Sequence, residues 1–129
     1  MAVAFSHVLF CTDGVYPVYV RGSNRYSQLG FDTTVQHVDD ITPVEYFCGL
    51  MPMESSVASN LFHSAVVLDG VLYTFGWKKN GRLGWGSGDD GDAVGLAEFR
   101  GTNDELIDEV HIVKVACGAN HTLALDGTV

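Results

Sequence analysis

From Leu61 to Gly86 the chain reads LFHSAVVLDGVLYTFGWKKNGRLGWG. Phe62 to Leu68 is an apolar run rich in valine, and the Asp69-Gly70 pair that follows it is typical of a tight hairpin turn. Val71 to Phe75 is a second apolar run, and glycines mark Gly76 to Gly86 as a loop. The stretch therefore predicts two antiparallel strands joined by a tight turn, and nothing in it indicates a helix.

The same pattern recurs upstream and downstream. Its histidine repeats at intervals of 56 and 58 residues, and the glycine of its turn repeats at intervals of 56 and 57 residues. The glycine that ends the second strand and the glycine that ends the loop each recur once, 54 residues away. A period of this length built from short strands is typical of a repeat architecture, most simply the blades of a β-propeller. The repeated positions are His7, His63 and His121, then Gly14, Gly70 and Gly127, then Gly22 and Gly76, and finally Gly30 and Gly84.

The copies predict one partial propeller domain over residues 1–129. We expect an incomplete first copy at residues 1–30, a central copy at 57–86 and a truncated third copy at 110–129. A closed propeller needs roughly four to eight blades and the copies supply about two, so we expect a fragment or a truncated product. The strand pattern predicts six core residues, which are Val8, Phe10, Val66, Val67, Leu123 and Leu125.

The copies also share a motif. The third copy opens with Val115-Ala116-Cys117-Gly118, followed by His121-Thr122. The first two copies supply the rest of the repeat, a strand that ends in glycine and a loop that closes on a Gln-Leu-Gly triplet or a variant of it. These triplets are Gln28-Leu29-Gly30 and Arg82-Leu83-Gly84. Together these residues resemble the repeat of the regulator of chromosome condensation family, over about two thirds of the chain.

The resemblance implies an all-β fold, a partial seven-bladed-type β-propeller made of short antiparallel strands. Two positions depart from the family's repeat, because Asn60 and Ala4 stand where the family has glycine. Asparagine can adopt the left-handed backbone conformation of glycine, so Asn60 is compatible with the repeat. Ala4 argues against a regular opening strand in the first copy.

The charge balance restricts the partners of the chain. It carries 7 lysine and arginine residues against 16 aspartate and glutamate residues, for a formal net charge of −9. Proteins that bind the phosphate backbone neutralise it with lysine and arginine, so no direct nucleic-acid binding is expected.

The cysteines and the N-terminal region predict a compartment. The three cysteines are scattered and form no C-x-x-C pair, which favours free thiols in a reducing compartment. The N-terminus lacks a basic region and its apolar run is short, so we expect neither a signal peptide nor contact with a membrane. An intracellular protein, cytoplasmic or nuclear, is the resulting prediction. The cysteines are Cys11, Cys48 and Cys117.

Three patterns invite a chemical interpretation that the sequence does not support. The repeated histidines lie one per copy, too far apart to share one metal ion at bond lengths of about 2 Å, so we expect each to bond to nearby backbone or turn. Asp89-Asp90-Gly91-Asp92 lacks the final glutamate of a calcium loop, since Gly101 stands at that position. Gly76 to Arg82 lacks the Lys-[Ser/Thr] pair of a phosphate loop. No nucleophile–base spacing occurs either, so we expect no enzyme activity, cofactor or metal.

The positions of the basic residues indicate a candidate partner-binding surface. Five of the seven fall at the recurring strand end and loop, whereas the acidic residues gather between the repeats. Equivalent loops of neighbouring blades share one rim of a propeller, and segregated charge steers partners. Arginine, tyrosine and tryptophan are also enriched at binding hot spots. The predicted partner-binding residues are Arg25, Tyr26, Trp77, Lys78, Lys79 and Arg82, with the loop Asp89 to Asp92 as the next candidate.

Two functions follow as hypotheses from the resemblance. The first is a non-catalytic protein–protein interaction or scaffold module, because repeats of this family are widely used as scaffolds. The second is a guanine-nucleotide exchange factor for a small GTPase of the Ran type, the activity of the family's founding member, which needs a surface that displaces the nucleotide but no covalent chemistry. The expected partner is a protein, either a small GTPase or a larger assembly. Fold alone does not choose between the two functions.

Overall fold

The computed structural model describes residues 1–3, 6–50, 54–78, 81–85, 93–107 and 110–127. These residues form short β-strands and a turn of 3-10 helix at Glu45–Phe47, so the predicted all-β structure is confirmed. No helix within the described ranges is long and apolar enough to cross a membrane. The strands are β1 (Ala2–Val3), β2 (His7–Cys11), β3 (Val18–Ser23), β4 (His37–Pro43), β5 (Ser55–Asn60), β6 (His63–Leu68), β7 (Val71–Gly76), β8 (Val94–Leu96), β9 (Ile112–Cys117) and β10 (Thr122–Asp126).

The strands form three antiparallel sheets in which each strand pairs with the next along the chain. The first sheet is β1-β2-β3-β4, the second is β5-β6-β7-β8, and the third contains β9 and β10. Four-stranded antiparallel meanders are the form of a propeller blade. The three sheets therefore follow one another as two blades and the beginning of a third.

The β6–β7 hairpin has the predicted tight turn. Asp69 has a φ angle of 49° and Gly70 one of 88°, which is the pair of positive values that a type I′ turn requires. The equivalent Asp13-Gly14 pair does not form such a turn, since neither residue has a positive φ angle. The first hairpin instead closes through a longer loop, in which the Thr12 amide donates to the carbonyl of Pro17 at 2.8 Å.

Two apolar cores lie between successive sheets. The first core joins the first and second sheets and contains Leu9, Val66 and Phe75, all of them 0% exposed. The second core joins the second sheet to β9 and contains Val67 and Ile112. Strand β6 contributes to both cores, and all six of its residues are buried.

The structure corrects four of the six predicted core residues. Val66 and Val67 are buried as predicted. Val8 and Phe10 are only partly buried, because alternate residues of a strand point to opposite faces and Leu9 is the one that faces the second sheet. The prediction for Leu123 and Leu125 is wrong, since they are 63% and 58% exposed. No sheet among the described residues covers that face of β10.

Candidate partner-binding surface

A hydrogen-bonded joint connects the first sheet to the second. The Nε2 atom of His7 lies 2.6 Å from the hydroxyl oxygen of Ser64, and that hydroxyl donates to the carbonyl of Gln28 at 2.7 Å. Because a hydroxyl has one hydrogen to give, the His7 Nε2–H must be the donor to Ser64. The joint therefore ties the start of β2, the start of β6 and the end of the first loop together.

The second joint repeats the first. The Nε2 atom of His63 lies 3.1 Å from the hydroxyl oxygen of Thr122, which donates to the carbonyl of Arg82 at 2.6 Å. The histidine partners are thus hydroxyl groups of the next sheet, where we had expected backbone or turn groups. Each histidine acts between sheets, which fixes the two loops relative to each other.

Both joint histidines are neutral near pH 7. Burial, followed by the neighbouring His63, lowers the pKa of His7 from 6.5 to about 4. Burial likewise lowers the pKa of His63 to about 4, with the positive charge of Arg82 as the next cause. The described residues contain no cluster of histidine, cysteine, aspartate or glutamate that could hold a metal ion. The geometry assigns both histidines a structural role.

A glycine opposite each histidine sets the path into each loop. Gly22 pairs with His7 and has a φ angle of 119°, and Gly76 pairs with His63 and has a φ angle of 126°. A Cβ atom at Gly76 would lie 2.6 Å from the Cα atom of His63. The Trp77 amide then donates to the carbonyl of Phe62 at 2.8 Å. The two loops therefore leave their sheets in the same way.

The loops bring predicted site residues of two sheets together. The ring centroids of Tyr26 and Trp77 are 5.1 Å apart, with the rings tilted by 33°. Phe62 completes a cluster of three rings, at 5.0 Å from Tyr26 and 5.2 Å from Trp77, and its ring meets both others nearly edge-on. Tyr26 is 38% exposed, so one ring of this aromatic cluster faces solvent.

Arg82 has a different position from the other predicted residues. It is only 2% exposed, and its guanidinium lies 4.8 Å from the centroid of the Trp77 ring. The same group donates to the carbonyl of Ala119 at 3.0 Å and to the side-chain oxygen of Asn120 at 2.9 Å. Arg82 thus holds the third sheet against the second loop, and its buried side chain offers little surface to a partner.

The remaining predicted cations are Arg25, Lys78 and Lys79. Arg25 and Lys78 are exposed, on the first and second loops respectively. Lys79 lies outside the described residues, as does the alternative site Asp89 to Asp92. Arg25 makes no ion pair with any residue in the described part of the chain.

An open groove of about 510 Å³ runs beside the aromatic cluster. Arg25 and Tyr26 border it on the side of the first loop, and Phe62 borders it on the side of the second sheet. Arg25 and Tyr26 were predicted from the sequence, whereas Phe62 and the polar residues that line the groove were not. A signal was present, since Phe62 directly precedes the repeated histidine His63, whose side chain bonds to the next sheet. The other lining residues are Ser6, Ser23, Gln28, Gln36 and His37.

Comparisons with known proteins agree with this geometry. Residues 69–125 match the family model of the Regulator of chromosome condensation (RCC1) repeat. The X-linked retinitis pigmentosa GTPase regulator homolog of Caenorhabditis elegans is 34% identical over 108 residues, which cover 83% of this chain and 7% of that protein. The ultraviolet-B receptor UVR8 of Arabidopsis thaliana is 30% identical over 118 residues, which cover 84% of this chain and 22% of the receptor.

The solved structures show the fold. Prp20p from Saccharomyces cerevisiae superposes with a TM-score of 0.70 at 19% identity, over 96% of this chain and 30% of Prp20p. This chain therefore spans less than a third of the length of each of these three proteins. Its sheets are successive blades, which confirms the predicted partial β-propeller of the seven-bladed type. The chain belongs to the regulator of chromosome condensation repeat family.

Proposed function

We propose that the chain is a non-catalytic protein-interaction module that binds its partner through the two loops on one rim. The observation that carries the proposal is the aromatic cluster of Tyr26, Phe62 and Trp77, which spans two sheets and has exposed cations on both sides. Aromatic and arginine side chains dominate the energy of most protein interfaces. This surface has both in one place, with Arg25, Tyr26, Trp77, Lys78 and Lys79 as its proposed contact residues. We leave Arg82 out because it is buried.

The order of the cluster favours binding. Each ring packs on the two others, and the joints at His7 and His63 hold the sheets that carry them. A surface that is already fixed loses little side-chain entropy when a partner arrives, where a mobile side chain loses about 0.5–1.5 kcal/mol. Fixed aromatic residues are therefore efficient contact residues.

The relatives suggest the kind of partner. The solved structure of Prp20p is described together with its binding properties to Gsp1p and histones. By its name, the Caenorhabditis elegans relative is the homolog of a GTPase regulator. These names support a protein partner for this chain, either a small GTPase or a component of a larger assembly.

Site-specific photo-cross-linking tests the proposed surface. A photo-reactive phenylalanine analogue at Lys78 should form a covalent adduct with the partner in cells, because Lys78 lies at the proposed contact. The same analogue at Leu96, which is 55% exposed on β8, is the matched control and should form none. The adduct at position 78 should disappear when Arg25→Glu is introduced into the same chain. Equal adducts at both positions, or an adduct that survives Arg25→Glu, would rule out this surface.

Guanine-nucleotide exchange is the second candidate function. The name of the Caenorhabditis elegans relative, a GTPase regulator homolog 34% identical to this chain, favours it. Exchange factors accelerate the release of bound nucleotide, so the test is the release of a fluorescent nucleotide from a panel of small GTPases. Accelerated release with one GTPase that is lost in Arg25→Glu would support exchange through the proposed surface. An unchanged release rate across the panel would leave the interaction module as the function.

A further inference from the structure

We propose that the groove beside the aromatic cluster binds an extended acidic peptide segment of the partner. The segment would place a carboxylate on Arg25 and an adjacent apolar side chain against Tyr26 and Phe62. This inference rests on the proposed function, since it names the chemistry that the same surface recognises.

The charge of the groove selects an anionic ligand. Arg25 borders the groove, is exposed, and has no acidic partner among the described residues. The described residues that line the groove include no aspartate or glutamate, although the chain as a whole has a net charge of −9. His37, the other basic residue there, already contacts Asp39 with 2.7 Å between Nε2 and Oδ1. Arg25 is thus the uncompensated charge in the groove.

The aromatic cluster argues against a cationic ligand. A cation such as methylated lysine binds inside a cage of separated aromatic rings. Here the three centroids lie only 5.0 to 5.2 Å from one another, so the rings fill the space between themselves. The guanidinium of Arg82 already lies over the Trp77 ring and would repel a second cation. The rings therefore offer a packed apolar wall to the ligand.

The shape and polarity of the groove fit an extended peptide. Its volume of about 510 Å³ is open to solvent, and apart from His37 its remaining lining is uncharged and polar, with Ser23 and Gln36 among the residues. Hydroxyl and amide side chains can bond to the backbone of a peptide, which has one donor and one acceptor at each residue. Arg25 and Tyr26 on the first-loop side, with Phe62 on the side of the second sheet, then select an acidic residue next to an apolar one. Charge-assisted bonds of arginine to carboxylate are among the stronger hydrogen bonds in proteins.

Fluorescence polarisation with defined peptides tests the inference on the full chain. The probe is a short fluorescein-labelled peptide in which glutamate alternates with leucine, and the reference is the same peptide with glutamine in place of glutamate. We expect the glutamate peptide to bind with an affinity that falls as salt is raised. The glutamine peptide should bind at least about tenfold more weakly. Equal binding of both peptides would overturn the role of charge.

Two variants with the same change of charge locate the site. Arg25→Glu should weaken binding of the glutamate peptide at least about tenfold, because it places a like charge at the contact. Arg21→Glu is the matched control, since Arg21 is exposed on β3 and does not line the groove. The affinity of Arg21→Glu for the glutamate peptide should stay within about twofold of that of the unchanged chain. If both variants weaken binding equally, only the overall field of the protein attracts the peptide, and the inference is wrong.

The outcome can be separated from that of the proposed function. If no peptide binds while the photo-cross-link at position 78 still forms and still depends on Arg25, the inference is wrong and the interaction surface stands. If the glutamate peptide binds through Arg25 but no partner cross-links at the loops, the groove is a peptide site and the wider surface is not the interface. Circular dichroism of each variant verifies that the β structure is intact.

Discussion

At the scale of single residues, Gly76 is a position that only glycine fits without strain. Its φ angle is 126°, and a Cβ atom there would lie 2.5 Å from the carbonyl oxygen of Phe62. Gly76→Ala should lower the free energy of unfolding by about 3 kcal/mol, because strain and a backbone clash act together. Gly81 is the control: its φ angle is 70°, but among the described residues beyond its chain neighbours no atom would lie within 4 Å of its Cβ atom. Gly81→Ala should cost about 1 kcal/mol in urea unfolding, and equal losses would contradict the clash.

The joint histidines make the stability of the chain depend on pH. Burial, followed by the charge of His63, lowers the pKa of His7 from 6.5 to about 4. In the unfolded chain His7 takes up a proton near pH 6.5, whereas in the folded chain it does so only near pH 4. The unfolded state therefore binds more protons in this window, and stability falls as the pH falls through it. His63 has the same shift and adds to the loss.

Urea unfolding at pH 7 and pH 5 measures this effect. The midpoint should be lower at pH 5, and the difference between the two pH values should shrink in His7→Gln, which cannot take up the proton. A variant that keeps the full difference would show that His7 is not one of the groups responsible.

At the scale of the elements, the hydroxyl of Ser64 is the group that couples the first two sheets. Ser64→Ala leaves the Nε2–H group of His7 and the carbonyl of Gln28 without this partner, in a buried position. Leaving buried polar groups unsatisfied costs about 1–3 kcal/mol, which urea unfolding can measure. Ser59→Ala on β5 is the matched control, because the Ser59 hydroxyl is buried and has no hydrogen-bond partner among the described residues. Removing it should leave stability unchanged or slightly raised, and a loss equal to that of Ser64→Ala would contradict the coupling.

The elements also show what the sequence could predict. The β6–β7 hairpin was predictable because an Asp-Gly pair between two apolar runs has one favoured geometry. Strand β8 was not predicted, since Val94–Leu96 is only three residues long and follows a glycine-rich acidic stretch. The 3-10 turn at Glu45–Phe47 was not predicted either, and its Phe47 is fully buried against Phe75 and Tyr73. Tertiary packing decided the conformation of that segment.

The candidate surface also has one feature that the sequence could predict and one that it could not. The pairing of Tyr26 with Trp77 follows from the repeat, because equivalent loops of neighbouring sheets meet on one rim. The burial of Arg82 does not, since Gln28 at the equivalent position of the first copy accepts a bond from the Tyr26 amide within its own loop. Only the longer side chain of arginine reaches the next sheet, at Ala119 and Asn120. A repeat therefore predicts where a residue lies better than it predicts what that residue contacts.

At the scale of the whole molecule, the exposed face of β10 predicts self-association. Leu123 and Leu125 are 63% and 58% exposed and lie on the same face of the strand. In the second sheet, the equivalent positions are Ala65 and Val67, and both are buried by the next sheet. The chain alone should therefore sediment as oligomers, and Leu123→Lys together with Leu125→Lys should shift it toward the monomer. Val15→Lys, at an exposed loop residue, is the control and should leave the oligomers unchanged. A monomer before any substitution would contradict the prediction.

Strand β6 has a consequence for how perturbations travel through the molecule. Val66 packs in the first core and Val67 in the second, so residues adjacent in sequence report on different interfaces. A probe at Val66 would sense the contact with the first sheet, and a probe at Val67 would sense the contact with the third sheet. Signals from the two interfaces can thus be recorded separately from a single strand.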